Sequence, residues 1–106
     1  MAKSNRAKAT DIPAKVKNRV WERDEHRCIN CGATYTAMPN AHRISRNKGG
    51  LGIEQNVVTL CRECHHNMDN GYGEAKKKVT DKVTEYLAEL YPEWTDEDVT
   101  YRKWAV

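Results

Sequence analysis

Two pairs of cysteines are the side chains in this sequence that are best suited to chemistry. Two residues separate the members of each pair, and the four are Cys28, Cys31, Cys61 and Cys64. This spacing lets both sulfurs of a pair point into one tetrahedron around Zn²⁺, and four thiolates leave no position open for water. We therefore predict that the four cysteines hold a structural Zn²⁺ ion. Free thiols or a redox-active CxxC motif are the alternatives, but neither explains why two pairs are present.

The 29 residues between the two pairs are more than a ribbon-type zinc module needs. They include His42, a glycine-rich stretch at 47–52 and Asn56, while His65 and Asp69 follow the second pair. A histidine suits the role of general base because its unperturbed pKa lies near neutrality. His65 and Asp69 are four positions apart, so on a helix they project from one face and can share a metal ion. The zinc is thus predicted to clamp a functional insert.

The stretch 41–69 resembles the HNH endonuclease family in its cysteine-bearing branch. That family has a histidine on a first strand, a Gly-Gly loop, an asparagine before a second strand and a histidine on the following helix. The matching positions are His42, Gly49-Gly50, Asn56 and His65. His42 and Asn56 are 14 positions apart, and Asn56 and His65 are 9 apart, which is the spacing expected of the family. The resemblance covers about residues 16–71, roughly half of the chain.

The resemblance implies an α+β fold, a small ββα-metal (His-Me finger) module stapled by the four-cysteine zinc site and flanked by helices. It implies a metal-dependent endonuclease that hydrolyses phosphodiester bonds of DNA to 5′-phosphate and 3′-hydroxyl ends. His42 would be the general base, and Asn56 would hold the loop or the His42 backbone by amide hydrogen bonds. His65 would belong to the catalytic set and, with Asp69, bind a divalent ion. An oxygen ligand favours Mg²⁺ or Mn²⁺.

Basic residues near His42 suit a polyanionic substrate. Arg43, Arg46 and Lys48 surround His42 and the glycine-rich stretch, and we predict that they contact DNA phosphates. No base-reading element is evident, which predicts low intrinsic sequence specificity and binding that weakens steeply with salt. Residues 1–20 carry a net charge of +5 and the remainder −2. The basic arm indicates either phosphate contact or a solvated, frayed terminus.

One position departs from the family pattern. The family commonly has Asp or His just before the base, as a further metal ligand, and this chain has Ala41 there. Water and phosphate oxygens would then complete the metal shell, or metal binding is weakened, or activity is lost. The alternative function is a non-catalytic, zinc-stabilised module that binds DNA or a partner protein. A fragment of a homing or restriction enzyme is a further alternative, disfavoured by the lack of an accessory specificity domain.

Stand-alone HNH domains of this size are similar to those encoded by bacteriophages and prophages, where they are associated with genome packaging. The resemblance thus implies a terminase-like packaging protein as a partner besides DNA. No apolar run approaches the ~20 residues of a membrane span, and the first ten residues are polar and basic rather than a secretion signal. We expect a protein with no membrane partner, located in the cytoplasm of a bacterial host cell.

These side chains need a scaffold, and the length of 106 residues predicts one domain. We expect a disordered basic arm at 1–12 and a nuclease domain at 13–106, with a ββα core at about 40–71 and C-terminal helices at 74–105. Hydrophobic periodicity, β-branched runs and capping residues give the element bounds. The predicted helices are 14–24, 62–70, 74–91 and a last one starting near Thr95 that carries Val99 to Trp104; the predicted strands are 40–46 and 56–60.

Overall fold

A two-stranded antiparallel sheet with helices packed on both faces forms the centre of the computed structural model, which describes residues 4–102. The predicted α+β class is therefore confirmed, together with a cluster of the four cysteines. In chain order the elements are α1 (Asn5–Thr10), α2 (Ala14–Arg23), β1 (Met38–His42), a 3-10 turn (Arg46–Lys48), β2 (Val57–Leu60), α3 (Arg62–Asn70) and α4 (Gly73–Leu90). None of the helices in this part of the chain has the length and apolar character that crossing a membrane requires.

The second strand is buried on both sides because helices cover each face of the sheet. Val58 and Leu60 pack into the larger apolar cluster with residues of α3 and α4. Val57 points the other way and packs against Val16 and Val20 of α2. Successive side chains of a strand face opposite sides of a sheet, so β2 needs apolar residues on both of its faces. This explains why all four residues of β2 are buried and why its apolar residues do not alternate with exposed polar ones.

The strands pair with His42 opposite Val57 and Ala41 opposite Val58. We predicted the first strand over 40–46, but β1 ends at His42. Beyond this point the side-chain amide of Asn56 hydrogen-bonds to both the backbone N–H and the carbonyl oxygen of Ile44. These two groups are therefore not available for pairing between strands. The chain leaves the sheet one residue after His42.

Three of the predicted helices are present with nearly the expected bounds. α2 ends one residue before the predicted 24, α3 coincides with 62–70, and α4 is shifted by one residue from 74–91. The buried residues of α4 are Val79, Val83 and Leu87, which lie on one face at spacings of four. Helical periodicity predicts this same face.

The disordered arm that we predicted over 1–12 is wrong for most of its length. Residues Asn5–Thr10 form α1. Ser4 caps its N-terminus, where the Ser4 side chain accepts a hydrogen bond from the backbone N–H of Ala7. Thr10 is only 3% exposed. The contacts that order this short helix are made with distant parts of the chain. Composition carries no information on such contacts, so it suggested disorder.

The last predicted helix is also wrong within the described residues. Thr95 and Asp98 do form the reciprocal hydrogen bonds of a helix start, at 2.8 and 3.3 Å. The chain then makes turns instead of a helix, and Thr100 forms a bridge with Gly50. Pairing with the loop between β1 and β2 thus replaces helical hydrogen bonds. The end of this predicted helix, including Trp104, lies outside the described residues.

A buried ion pair joins α2 to β2 and α4. The carboxylate of Asp24, at the end of α2, binds the guanidinium of Arg23 at 2.7 Å. It also accepts the backbone N–H of Thr59 at 2.8 Å and the hydroxyl of Tyr86 at 2.5 Å. Burial acts to lower the pKa of Arg23, but hydrogen bonds and charge from Asp24 and Tyr91 outweigh burial and raise the pKa above its ordinary value. Three elements therefore depend on one carboxylate.

Replacing Asp24 should destabilise the protein strongly. Asp24→Ala leaves the Arg23 charge buried without its partner, and we expect the free energy of unfolding to fall by about 3–5 kcal/mol. Chemical denaturation of the zinc-loaded protein measures this. The matched control is Glu22→Ala, which removes an exposed carboxylate that pairs with His26 on the surface and should cost less than about 1 kcal/mol. Equal effects of the two substitutions would contradict this account.

Candidate functional site

The four cysteines converge where β2 passes into α3. Cys28 and Cys31 lie in the turn between α2 and β1, Cys61 precedes α3 and Cys64 lies in its first turn. Their sulfur atoms all lie within 4.8 Å of one another, and those of Cys31 and Cys61 are 3.7 Å apart. Zn–S bonds of about 2.3 Å in a tetrahedron place the sulfurs about 3.8 Å apart. The four residues are therefore positioned to hold a metal ion and fit Zn²⁺.

N–H groups around the sulfurs favour the thiolate form. Asn30 donates its side-chain N–H to the sulfur of Cys64 at 3.3 Å, and the backbone N–H of Cys31 approaches the sulfur of Cys28 at 3.5 Å. Burial acts to raise the pKa of Cys28, but N–H donors from Cys31, Cys61 and Asn30 outweigh it and lower the pKa to about 7. Burial raises the pKa of Cys64. A bound cation would displace the remaining protons, since thiolates are the ligand form.

Metal removal should unfold the protein. We expect about one Zn²⁺ per purified chain, and a chelator should abolish the cooperative thermal transition, because structural zinc contributes about 10 kcal/mol or more to small domains. Metal analysis and circular dichroism before and after chelation test this. Adding Zn²⁺ back should restore the transition. A chelated chain that keeps its melting temperature would show that the cysteine cluster is not a structural metal site.

An open cleft of about 1040 Å³ lies beside the end of β1 and α3. It brings together the polar residues that the sequence singled out, apart from Asn56 and the cysteines. These cleft residues are His42, Arg43, Arg46, Lys48, His65 and Asp69. They come from β1, from the loop after it and from α3, so only the folded chain makes them neighbours. His66 is exposed and does not line the cleft.

His42 is nearly buried in the wall of this cleft, at 9% exposure. Its Nε2 atom lies 2.8 Å from the backbone carbonyl oxygen of Thr10. A carbonyl oxygen only accepts hydrogen bonds, so Nε2 carries the proton, and in the neutral ring Nδ1 keeps a free lone pair. Burial lowers the pKa of His42, and the positive charge of Arg46 lowers it further, while the Thr10 carbonyl and Asp69 oppose these effects. The ring is therefore neutral at pH 7 and can accept a proton at Nδ1.

Asn56 lies behind the cleft and is fully buried. Its side-chain amide donates to the carbonyl oxygens of Ile44 at 3.1 Å and Leu51 at 2.9 Å, and its oxygen accepts the backbone N–H of Ile44 at 2.9 Å. Its own carbonyl accepts the N–H of Arg43 at 2.8 Å. The loop after β1 is thus closed on Asn56. A Cβ atom on Gly50 would lie 1.6 Å from the Ile44 oxygen, so glycine is required for this closure.

His65 and Asp69 lie one turn apart on α3, and the His65 Nε2 and Asp69 Oδ2 atoms are 3.0 Å apart. Two adjacent ligands in an octahedral shell with bonds of about 2.1 Å are also about 3.0 Å apart. The pair therefore fits joint binding of one divalent ion. Among the described residues, however, the cysteine cluster is the only group of three or more potential ligands that lie close enough together to share an ion. In the cleft, the His65–Asp69 pair supplies two such ligands.

The basic residues of the cleft differ in how they are engaged. Arg43 forms an ion pair with Asp96, and Arg46 forms one with Asp11. Lys48 is exposed at the cleft. Sequence reasoning did not foresee these two ion pairs, because each partner lies 35 or more positions away.

Two further lysines reach the cleft that the sequence did not single out. Lys17 comes from α2, and Lys76 comes from α4 and donates to the carbonyl oxygen of Met68 at 2.5 Å. The neighbouring Lys77 instead pairs with Asp81 on the exposed face of α4. The cleft is lined by five basic and two acidic side chains, a formal charge of +3 with neutral histidines. No local sequence signal identifies these lysines, since packing of α2 and α4 places them.

Ala41 does not face the cleft. It is fully buried in the apolar cluster that includes Cys28, Met68 and Val83, and it lies on the opposite side of β1 from His42, as strand alternation requires. In this chain, position 41 is therefore a core position. Its neighbours in that apolar cluster include Cys64 and Met68 of α3.

Introducing a carboxylate at this position should harm the protein. Ala41→Asp would bury a carboxylate among apolar side chains, and we expect the free energy of unfolding to fall by more than about 2 kcal/mol. We also expect no gain in affinity for Mg²⁺ or Mn²⁺. Denaturation and calorimetric metal titration check both results, and Ala41→Val serves as an apolar control for added volume. A tighter divalent site in Ala41→Asp would contradict the orientation described.

No protein-family model matches the chain, and no curated protein shows significant similarity to it.

Proposed function

We propose that this chain is a metal-dependent DNA endonuclease of the HNH type, with a ββα-metal module formed by β1, β2 and α3. The observation that carries the proposal is the state of His42. Its Nε2–H is bound to the Thr10 carbonyl at 2.8 Å, which leaves Nδ1 as a proton acceptor in a basic cleft. The motif order supports the family, because His42 ends β1, Asn56 immediately precedes β2 and His65 lies on α3.

In this proposal His42 takes a proton from a water molecule at Nδ1. The water oxygen attacks phosphorus, and the bond from phosphorus to the 3′ oxygen breaks. The 3′ oxygen takes a proton from solvent, so the products are a 5′-phosphate and a 3′-hydroxyl. A divalent ion held by His65 and Asp69 would neutralise charge on the phosphate and on the leaving oxygen.

The remaining cleft residues bind and orient the substrate in this proposal. Lys17, Lys48 and Lys76 supply positive charge for the DNA backbone, and Arg43 and Arg46 add to it from within ion pairs. Phosphate contacts carry no sequence information, so specificity is low and binding weakens with salt. The cysteine cluster has no chemical role here and holds the start of α3.

A non-catalytic, zinc-stabilised module that binds DNA or a partner protein is the second candidate. The limited ligand set favours it, since within residues 4–102 only His65 and Asp69 are paired closely enough in the cleft to share a divalent ion. It predicts DNA binding without cleavage in any metal. A terminase-like packaging protein as partner, and the cytoplasm of a bacterial host as location, are further proposals that follow from the family resemblance alone.

Removing the base should abolish cleavage without disturbing the fold. His42→Ala should reduce the rate of plasmid nicking by about 100-fold or more, the contribution expected of a general base. Nicking of supercoiled plasmid with Mg²⁺ or Mn²⁺ measures it, with zinc content checked in parallel. The control is His26→Ala, an exposed histidine outside the cleft that stacks on Trp21, which should nick at the wild-type rate. Wild-type nicking by His42→Ala would exclude His42 as the base.

The pH profile should reflect the lowered pKa of His42. Protonated His42 cannot accept a proton, so the rate falls as pH drops through its pKa. Because burial and Arg46 lower this pKa below its ordinary value of 6.5, we expect the midpoint of the decline to lie below pH 6.5. Single-turnover nicking across pH 5–8 measures this. A midpoint above pH 7 would falsify the assignment of the profile to His42.

A further inference from the structure

We propose that the N-terminal segment (residues 4–12) is a positioning element for His42, acting through the backbone carbonyl of Thr10. The inference rests on the proposed function, and it goes beyond it by making a part of the chain outside the sheet and α3 necessary for the chemistry. The segment thus acts on the base rather than serving only as a basic arm for DNA.

The contact between Thr10 and His42 is buried and direct. The Thr10 side chain and backbone are 3% exposed, His42 is 9% exposed, and the Nε2 to carbonyl distance is 2.8 Å across 32 positions of chain. Buried polar groups need partners, and here the ring N–H and the carbonyl satisfy each other. The bond also fixes which nitrogen carries the proton and how the ring is turned. Because the Thr10 oxygen is bound to the ring, it acts on a substrate only through the imidazole.

Several contacts hold the segment against the glycine loop (residues 47–52). Arg6 donates to the carbonyl oxygens of Asn47 at 2.6 Å and Arg46 at 3.4 Å, at the start of the loop. The backbone N–H of Gly52, at the end of the loop, donates to the carbonyl of Ala9 at 3.0 Å. These contacts are made by Arg6 and Ala9, which precede Thr10 in the segment, and they set the place of its carbonyl. None of them involves His42 directly, so they can be altered separately from it.

Gly52 offers a way to move the segment from a position that does not itself line the cleft. A Cβ atom at this position would lie 1.9 Å from the carbonyl oxygen of Asp11 and 2.9 Å from the backbone nitrogen of Ile12. Gly52 does not adopt a left-handed conformation, so alanine carries no backbone strain of its own there. Gly52→Ala should therefore displace the segment at Asp11, one residue from the Thr10 carbonyl.

Arg6→Ala is the second variant, since it removes the contacts at the start of the loop. Its matched control is Lys8→Ala, which removes the same charge from an exposed position on the same helix. Any effect shared by Arg6→Ala and Lys8→Ala reports charge. An effect specific to Arg6→Ala reports the position of the segment.

Two measurements on the zinc-loaded protein test the proposal. In ¹H–¹⁵N spectra at pH 7.5, we expect the wild-type Nε2–H proton of His42 to be protected from exchange with water, and Lys8→Ala to preserve it. Gly52→Ala and Arg6→Ala should lose that protection. In nicking assays both variants should lose about tenfold or more in kcat with little change in KM, because misaiming a base weakens the chemical step rather than binding. Zinc content and circular dichroism establish that each variant is folded.

The outcomes separate this inference from the proposed function. A protected Nε2–H and a wild-type kcat in folded Gly52→Ala and Arg6→Ala would overturn the positioning role. If Gly52→Ala does not fold, the comparison of Arg6→Ala with Lys8→Ala decides in the same way. Suppose instead that the variants lose Nε2–H protection and that no form, including wild type, nicks DNA. This would support the positioning of His42 by the N-terminal segment and contradict the proposed nuclease function.

Discussion

A sheet of two short strands has little stability of its own, so the cleft depends on what joins this sheet to the helices. The four cysteines provide the junction: one pair lies in the turn before β1 and the other at the start of α3. The backbone N–H of Ile29 donates to the Thr59 carbonyl at 3.0 Å and ties the first pair to β2. With these points fixed, α3 has one orientation relative to β1. His65 and Asp69 consequently face the same cleft as His42.

Both ends of the described chain converge on the glycine loop. The N-terminal segment reaches it through the bond between Ala9 and Gly52, and the C-terminal segment does so through the bond of the Leu51 N–H to the Val99 carbonyl at 2.8 Å. Two backbones can approach the loop closely because glycines leave space for them. The cleft is therefore a product of the whole chain and not of β1, β2 and α3 alone. Such convergence suits a small chain, in which few layers are available to support a site.

Much of the site could be predicted because its residues are spaced locally. The two CxxC pairs, the i,i+4 relation of His65 and Asp69, and the bounds of α3 depend on neighbours within a few positions. Contacts across long separations could not be predicted from one sequence, and they account for the errors. The helix at Asn5–Thr10, the ion pairs of the two arginines and the replacement of a last helix by pairing with Gly50 all belong to this kind.

The most direct test of the central claim, hydrolysis of DNA with His42 as base, is the chemistry of the ends made by the wild-type protein. Supercoiled plasmid would be incubated with zinc-loaded protein and Mg²⁺ or Mn²⁺, and the nicks then treated with DNA ligase without prior phosphatase or kinase. The account predicts nicks that the ligase seals, because attack by water leaves a 5′-phosphate and a 3′-hydroxyl. Nicks that resist sealing, or plasmid that is bound but never nicked, would contradict it.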